Sequence, residues 1–122
     1  MIATSTSAPS KTINILTWVL QIVAALAFLA AGGAKLAGAQ AMVATFQKIG
    51  VGQWFRYLTG FLEVVGAIGL LIPRFTFYAA ALLVMVMIGA VITHLAILGG
   101  SPAAAIGLLV ITGTIAYVRR PR

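Results

Sequence analysis

The chain lacks cysteine, and among its 122 residues it has a single carboxylate side chain, Glu63. Without cysteine, the chain supplies no disulfide, thiol redox centre, iron–sulfur cluster or zinc–thiolate site. One glutamate and one histidine, His94, provide too few ligands for a metal ion. The sequence therefore predicts neither a metal site nor thiol chemistry.

The chain is rich instead in apolar residues, which make up 62% of it and give a mean hydropathy of +1.15. A chain of this length cannot bury so many apolar side chains in one small water-soluble core. Eight Lys and Arg give a net charge of +7, but they lie mostly at the ends of apolar runs, where cations face lipid headgroups. No basic cluster with interleaved aromatics occurs, so we predict an integral membrane protein without a nucleic-acid partner.

Four apolar runs predict an all-α polytopic membrane protein, a bundle of four transmembrane helices. The predicted crossings are residues 12–36, 54–72, 75–98 and 102–118, which together form a membrane domain of residues 12–118. Residues 1–11 are expected to be a disordered tail, and residues 119–122 a basic tail. A signal peptide is an alternative for the first run, because Lys11 precedes it and Ala37-Gly38-Ala39 resembles a cleavage site.

Residues 38–50 are too short and too polar to cross a bilayer. Met42, Val43 and Phe46 recur there at helical spacing, and Gly50 follows. This pattern predicts a short amphipathic helix at the membrane surface. A plain connecting loop is the alternative.

The basic residues predict the orientation of the bundle. Four crossings place both termini on one side, and this side carries more Lys and Arg than the other. Its cations are Lys11, Arg74, Arg119, Arg120 and Arg122, against Lys35, Lys48 and Arg56 on the opposite side. Because Lys and Arg favour the cytoplasmic side, we expect both termini in the cytoplasm, in a bacterial inner membrane.

Glu63 lies about ten residues inside the second predicted crossing, where an ionised carboxylate costs at least ~2.5 kcal/mol without a partner. Residues three, four and seven positions away share its helix face. That face carries Arg56, Thr59, Gly60, Gly66 and Ala67, whereas apolar side chains occupy the opposite face. Small residues allow another helix to approach closely, so Glu63 is predicted to point into the bundle.

The predicted topology brings further polar groups to the same half of the bundle. We predict a polar cluster of Lys35, Arg56, Glu63 and His94, lined by Thr59 and Thr93, with Gln21 as a further candidate. The cluster is either a ligand or proton site or a static ion pair that fixes helix register. Unpaired, Glu63 would stay neutral. Lys35 and Arg56 could instead extend to the headgroups, and His94 could be an ordinary interfacial residue.

Several segments carry a resemblance to a known family. They are FLAAGGAKL at 28–36, Phe46, Gly50, LTGFLEVVGAIGLLIP at 58–73 and AVITH at 90–94. Over about residues 14–118 the chain resembles the DoxX-like membrane proteins. The resemblance implies a four-helix membrane bundle with Lys35, Glu63 and His94 at its marked polar positions. It also implies a link to membrane oxidoreductase systems, such as subunits similar to those of thiosulfate:quinone oxidoreductase.

These observations lead to one main expectation and two alternatives for function. The main expectation is a membrane subunit of a redox system, either non-catalytic or binding a quinone or another small molecule. We find no autonomous catalytic motif and no motif for flavin, haem or nicotinamide, so quinone is the one candidate cofactor. Expected partners are the lipid bilayer, further copies of the chain, or a membrane or soluble redox protein. The alternatives are a small transporter, with or without proton coupling, and a scaffold that anchors a soluble enzyme.

Overall fold

A computed structural model describes residues 8–121, and this range is helical without strands. Most of the predicted N-terminal tail, residues 1–7, lies outside the described residues, as does Arg122. The helices are α1 (Lys11–Ala37), α2 (Gln40–Ile49), α3 (Gln53–Leu70), α4 (Thr76–Thr93), its π-helical continuation (His94–Leu98) and α5 (Ala103–Val118). The all-α prediction is confirmed, and the end of α3 at Leu70 instead of 72 is the largest difference from a predicted boundary.

Local chemistry explains where α1 begins and ends. The Ser10 hydroxyl accepts a hydrogen bond from the Ile13 amide at 3.2 Å, so Lys11 belongs to the helix and not to the tail. At the other end, Gly38 has φ 74° and its amide donates to the carbonyls of Ala34 and Lys35. This left-handed conformation is strained for residues with a Cβ, and it turns the chain toward α2.

The long helices α1, α3, α4 and α5 pack side by side. α1 lies against α3, α3 against α4, and α4 against α5, which also contacts α1. The start of α1, the end of α5 and the α3–α4 connection meet at one end, which we call the terminal end. The short α2 lies at the opposite end against α3 and the π-helical segment. A helix is thus formed where the sequence left a loop as the alternative.

Glycines set the distance between α1 and α3. A Cβ on Gly32 would lie 2.8 Å from the Gly60 carbonyl oxygen, and one on Gly60 would lie 2.9 Å from the Cβ of Lys35. The two backbones therefore touch where Lys35 and Glu63 meet, as expected for small residues at a membrane helix interface.

The buried face of α3 agrees with the prediction. It consists of Arg56, Gly60, Glu63, Gly66, Ala67 and Leu70. Phe61, Val65 and Ile68 on the other face are exposed. On α1, Gln21, Ala24, Ala25, Phe28 and Gly32 are buried at the same helical spacing. The 3.6-residue periodicity predicted the buried face of α3, because small and polar residues lie on one face and apolar residues on the other.

Two helical stretches among residues 8–121 are long and apolar enough to cross a membrane: Lys11–Ala37 and Thr76–Leu98. The stretch Ala103–Val118 is apolar but shorter. In α3, Arg56 and Glu63 interrupt the apolar sequence. Length and composition therefore support a membrane location through two helices.

Candidate functional site

Lys35 and Glu63 form an ion pair between α1 and α3. Lys35 Nζ lies 2.9 Å from Glu63 Oε1, and the two side chains are 14% and 3% exposed. Within residues 8–121 no donor other than this ammonium group reaches Oε1. The carboxylate thus has its counter-charge and retains the capacity to accept a hydrogen bond.

The ion pair borders a cavity of 880 Å³ that all five α-helices line. Five of the six predicted site residues line it: Lys35, Thr59, Glu63, Thr93 and His94. The other walls are mainly apolar and include Leu58, Leu62, Leu82, Met85, Val86 and Met87. α2 contributes Phe46 and Ile49 on the side away from the terminal end. The cavity is therefore a partly open apolar cleft with a small polar region.

Arg56, the sixth predicted residue, does not line the cavity. Its guanidinium donates to the Lys35 carbonyl oxygen and, at 2.7 Å, to Gln53 Oε1, and it lies 4.2 Å from the Tyr57 ring centroid. The carbonyls of the last turn of α1 have no intrahelical donor, and a cation stabilises that end of the helix. Arg56 therefore caps α1 and does not pair with Glu63, which lies two helical turns away on α3.

The other polar groups of the cavity bond to their own helices. Thr59 Oγ1 donates to the Phe55 carbonyl at 2.8 Å, and Thr93 Oγ1 donates to the Gly89 carbonyl at 2.7 Å. His94 Nδ1 lies 3.1 Å from the Ala90 carbonyl oxygen. No hydrogen bond joins these three groups to the ion pair. They share the cavity, and the ion pair is the direct contact among the predicted residues.

Sequence reasoning missed how α2 is attached. Lys48 Nζ donates to the Leu98 carbonyl at 3.0 Å, and Gln53 Nε2 donates to the Val43 carbonyl at 3.1 Å. Leu98 ends the π-helical segment, where the carbonyls lack helical donors. Lys48 also lines the cavity. Lysine is known to bind the carbonyls at helix C-termini, so this kind of contact was foreseeable. Its partner was not, because Leu98 is fifty positions away from Lys48 in the chain.

Gln21 belongs to a second polar group, far from the cavity. Gln21 Nε2 donates to the Leu70 carbonyl at 2.7 Å, and Gln21 Oε1 accepts from Arg119 Nε at 2.8 Å. Arg119 also donates to Asn14 Oδ1 at 2.7 Å. This terminal network joins α1, α3 and the end of α5, so the placement of Gln21 in the predicted cluster is wrong.

Within residues 8–121, no three His, Cys, Asp or Glu side chains lie together as a metal site would require. The residues that could contact an organic molecule are those of the cavity, with Lys35 and Glu63 as the charged pair. The chemistry that this arrangement offers is contact with a molecule through a few polar groups and an apolar surface. The arrangement holds no nucleophile paired with a base.

Within residues 8–121 the fold is helical, with two helices long and apolar enough to cross a membrane and a buried ion pair between α1 and α3. Residues 19–118 match the model of the DoxX-like family, and the chain is a member of that family. No curated protein and no solved structure matches the chain. The family and the two apolar helices together indicate a membrane protein.

Proposed function

We propose that the protein is a membrane subunit that binds a quinone or another small lipid-soluble molecule in the cavity, without chemistry of its own. All four long helices cross the bilayer in this proposal. The ion pair supports a crossing by α3, because Lys35 removes much of the cost of a buried carboxylate. α5, with 16 residues, spans ~24 Å, close to the shortest length that crosses.

The proposed orientation places the terminal end in the cytoplasm, as in a bacterial inner membrane. Lys11, Arg74, Arg119 and Arg120 belong to that end, and cytoplasmic ends of membrane helices favour such cations. The cavity then lies in the outer half of the bilayer. α2 lies at the outer surface, where its apolar side chains face the cavity.

The observation that carries the proposal is the cavity itself. Its volume of 880 Å³ lies within the range of small-molecule sites, and its apolar walls surround a few polar groups. A static ion pair needs no such space beside it, since close packing around a buried pair is more stable. The space beside Glu63 is therefore better explained by a ligand than by helix register alone.

The two other functions have less support. A scaffold would present its basic tail to a partner, but Arg119 is engaged within the fold by Asn14 and Gln21. A transporter would need a path from the cavity to the terminal end. The terminal network and the buried Phe28 and Leu70 occupy that direction. For these reasons we rank ligand binding first.

Binding of decylubiquinone, in its oxidised and reduced states, to the protein in lipid nanodiscs tests the proposal. We expect saturable binding beyond that of protein-free nanodiscs. Binding of the reduced form should weaken about tenfold in Glu63→Gln, because the quinol hydroxyl then loses a charged acceptor. Thr114→Val is the matched control, since the Thr114 hydroxyl is exposed on α5 and bonds only to the Val110 carbonyl. Binding that never saturates, in either redox state, would exclude the proposal for quinones.

A further inference from the structure

Each threonine hydroxyl that lines the cavity donates its hydrogen to a backbone carbonyl. Thr59 donates to the Phe55 carbonyl, Thr93 to the Gly89 carbonyl, and Thr45 on α2 to the Ala41 carbonyl, at 2.7 to 2.8 Å. A hydroxyl has one hydrogen and two lone pairs. Toward a ligand, these three groups can therefore act only as acceptors.

The His94 ring is also left with an acceptor. A carbonyl oxygen cannot donate, so the contact of 3.1 Å between His94 Nδ1 and the Ala90 carbonyl places the ring hydrogen on Nδ1. In a neutral imidazole the other nitrogen, Nε2, then carries a lone pair. A hydrogen bond from His94 to a quinone carbonyl is therefore disfavoured.

The ion pair and Lys48 supply the remaining hydrogen-bond donors and acceptors of the cavity. Beside the Lys35 ammonium group, the Glu63 carboxylate accepts hydrogen bonds only, and within residues 8–121 no donor other than Lys35 reaches its Oε1. Lys35 is the main donor of the polar region, and its ammonium group lies against that carboxylate. Lys48, the second lysine of the lining, donates to the Leu98 carbonyl, and each of the two ammonium groups keeps two further hydrogens. Acceptors thus outnumber donors around the space beside Glu63.

We infer that the cavity selects a lipid-soluble molecule whose head carries a hydroxyl donor, such as a phenol, a quinol or a lipid alcohol. The inference rests on the proposed function and names its ligand class. A hydroxyl head can donate to Glu63 or to His94 Nε2 while it accepts from Lys35. A carbonyl or ether head of equal size would displace water from these acceptors and leave them unpaired, which costs affinity. Of a quinone couple, the reduced form binds more tightly.

Two probes that differ only by a methyl group in place of the hydroxyl hydrogen test the inference without redox chemistry. Tritiated 4-nonylphenol and its methyl ether, 4-nonylanisole, are titrated into nanodiscs that contain the protein, with protein-free nanodiscs as the partition control. We expect the phenol to bind at least about tenfold more tightly, as for one hydrogen bond to a charged acceptor.

Variants locate the acceptor. Glu63→Gln replaces two acceptor oxygens by an amide that also donates, so the phenol preference should fall below about threefold. Because this variant leaves Lys35 unpaired and could unfold, His94→Phe and Thr93→Val each remove one further acceptor with little change in shape. Thr114→Val should keep the full preference.

Equal affinity for the two probes in the unmodified protein would overturn the inference and leave a cavity that binds apolar molecules. A preference that persists in all of the folded cavity variants would also overturn it. If neither probe binds saturably, both the inference and the proposed function fail for these ligands, whereas saturable phenol binding with the expected preference supports both.

Discussion

At the terminal end, Gln21, Asn14 and Arg119 lie in a closed network, in which Leu70 also accepts a hydrogen bond from Thr76. Near the other end, Glu63 has its counter-ion but an incomplete set of hydrogen bonds, and it borders a cavity. Both regions bury polar groups among apolar helices. A polar network whose hydrogen bonds are complete fixes the arrangement of the helices. A buried oxygen that can accept a further hydrogen bond beside a cavity is instead suited to a ligand.

The largest effect on stability and on ligand binding is expected from Glu63→Gln. Removal of one partner leaves the Lys35 ammonium buried without a counter-charge, which should lower the free energy of unfolding by ~3 kcal/mol. The measurement is unfolding in mixed micelles by SDS titration, followed by circular dichroism. Ligand binding should weaken about tenfold in the same variant.

The double variant Lys35→Met/Glu63→Gln separates stability from binding. It removes both charges, so its stability should exceed that of Glu63→Gln. Its ligand affinity should stay low, because the charged acceptor is still missing. Recovery of both properties together would show that the ion pair acts only through the fold.

Arg119→Met should have the second largest effect, and on stability alone. It leaves Gln21 Oε1 buried without its donor, which costs ~2 kcal/mol. Affinity for a cavity ligand should be unchanged, since the network lies at the terminal end. Arg120→Met is the control, because Arg120 contacts only the neighbouring Tyr117 in its hydrogen bond and its ring contact. A large loss of affinity in Arg119→Met would contradict the division between the two regions.

This division could be predicted from the sequence only in part. Periodicity predicted the helix faces, and the cost of a lone carboxylate predicted a basic partner for Glu63. The choice between Lys35 and Arg56 as that partner, and the position of Gln21 outside the cavity, depended on helix rotation and vertical register. A difference of one turn moves a side chain by ~5.4 Å, which is enough to exchange a cavity position for a helix cap.

The π-helical segment and the attachment of α2 were beyond sequence reasoning for a different reason. The residue types of His94–Leu98 do not distinguish a π-helical turn from an α-helical one. The Lys48 contact depends on where that segment ends in space. Local sequence patterns carry no information on such contacts between distant segments of the chain.

Gly60→Ala should have a smaller effect that reaches the cavity through the backbone. The added Cβ would lie 2.9 Å from the Lys35 Cβ and 3.0 Å from the Gly32 carbonyl oxygen, so α1 and α3 must separate. We expect a loss of ~1–2 kcal/mol in the free energy of unfolding, together with weaker ligand binding as Lys35 moves. Gly33→Ala is the matched control, because no atom lies within 4 Å of its added Cβ. Equal stability of the two variants would exclude a close helix contact at Gly60.

The smallest effect on stability is expected from Lys48→Met. This variant tests whether the hydrogen bond between Lys48 and Leu98 holds α2 over the cavity. The Lys48 hydrogen bond to Leu98 is exposed, so its loss should lower the free energy of unfolding by less than about 1 kcal/mol. The methionine keeps the apolar length of the side chain, and the polar groups below α2 are unchanged.

If α2 opens to release the ligand, loss of the Lys48 contact should accelerate dissociation a few-fold while the hydroxyl preference stays the same. The check is a dissociation time course of tritiated 4-nonylphenol chased with unlabelled probe, with Gln47→Met on the same helix as the control. Unchanged dissociation would mean that ligands leave sideways between α3 and α4, where the exposed Leu58 and Met85 line the cavity.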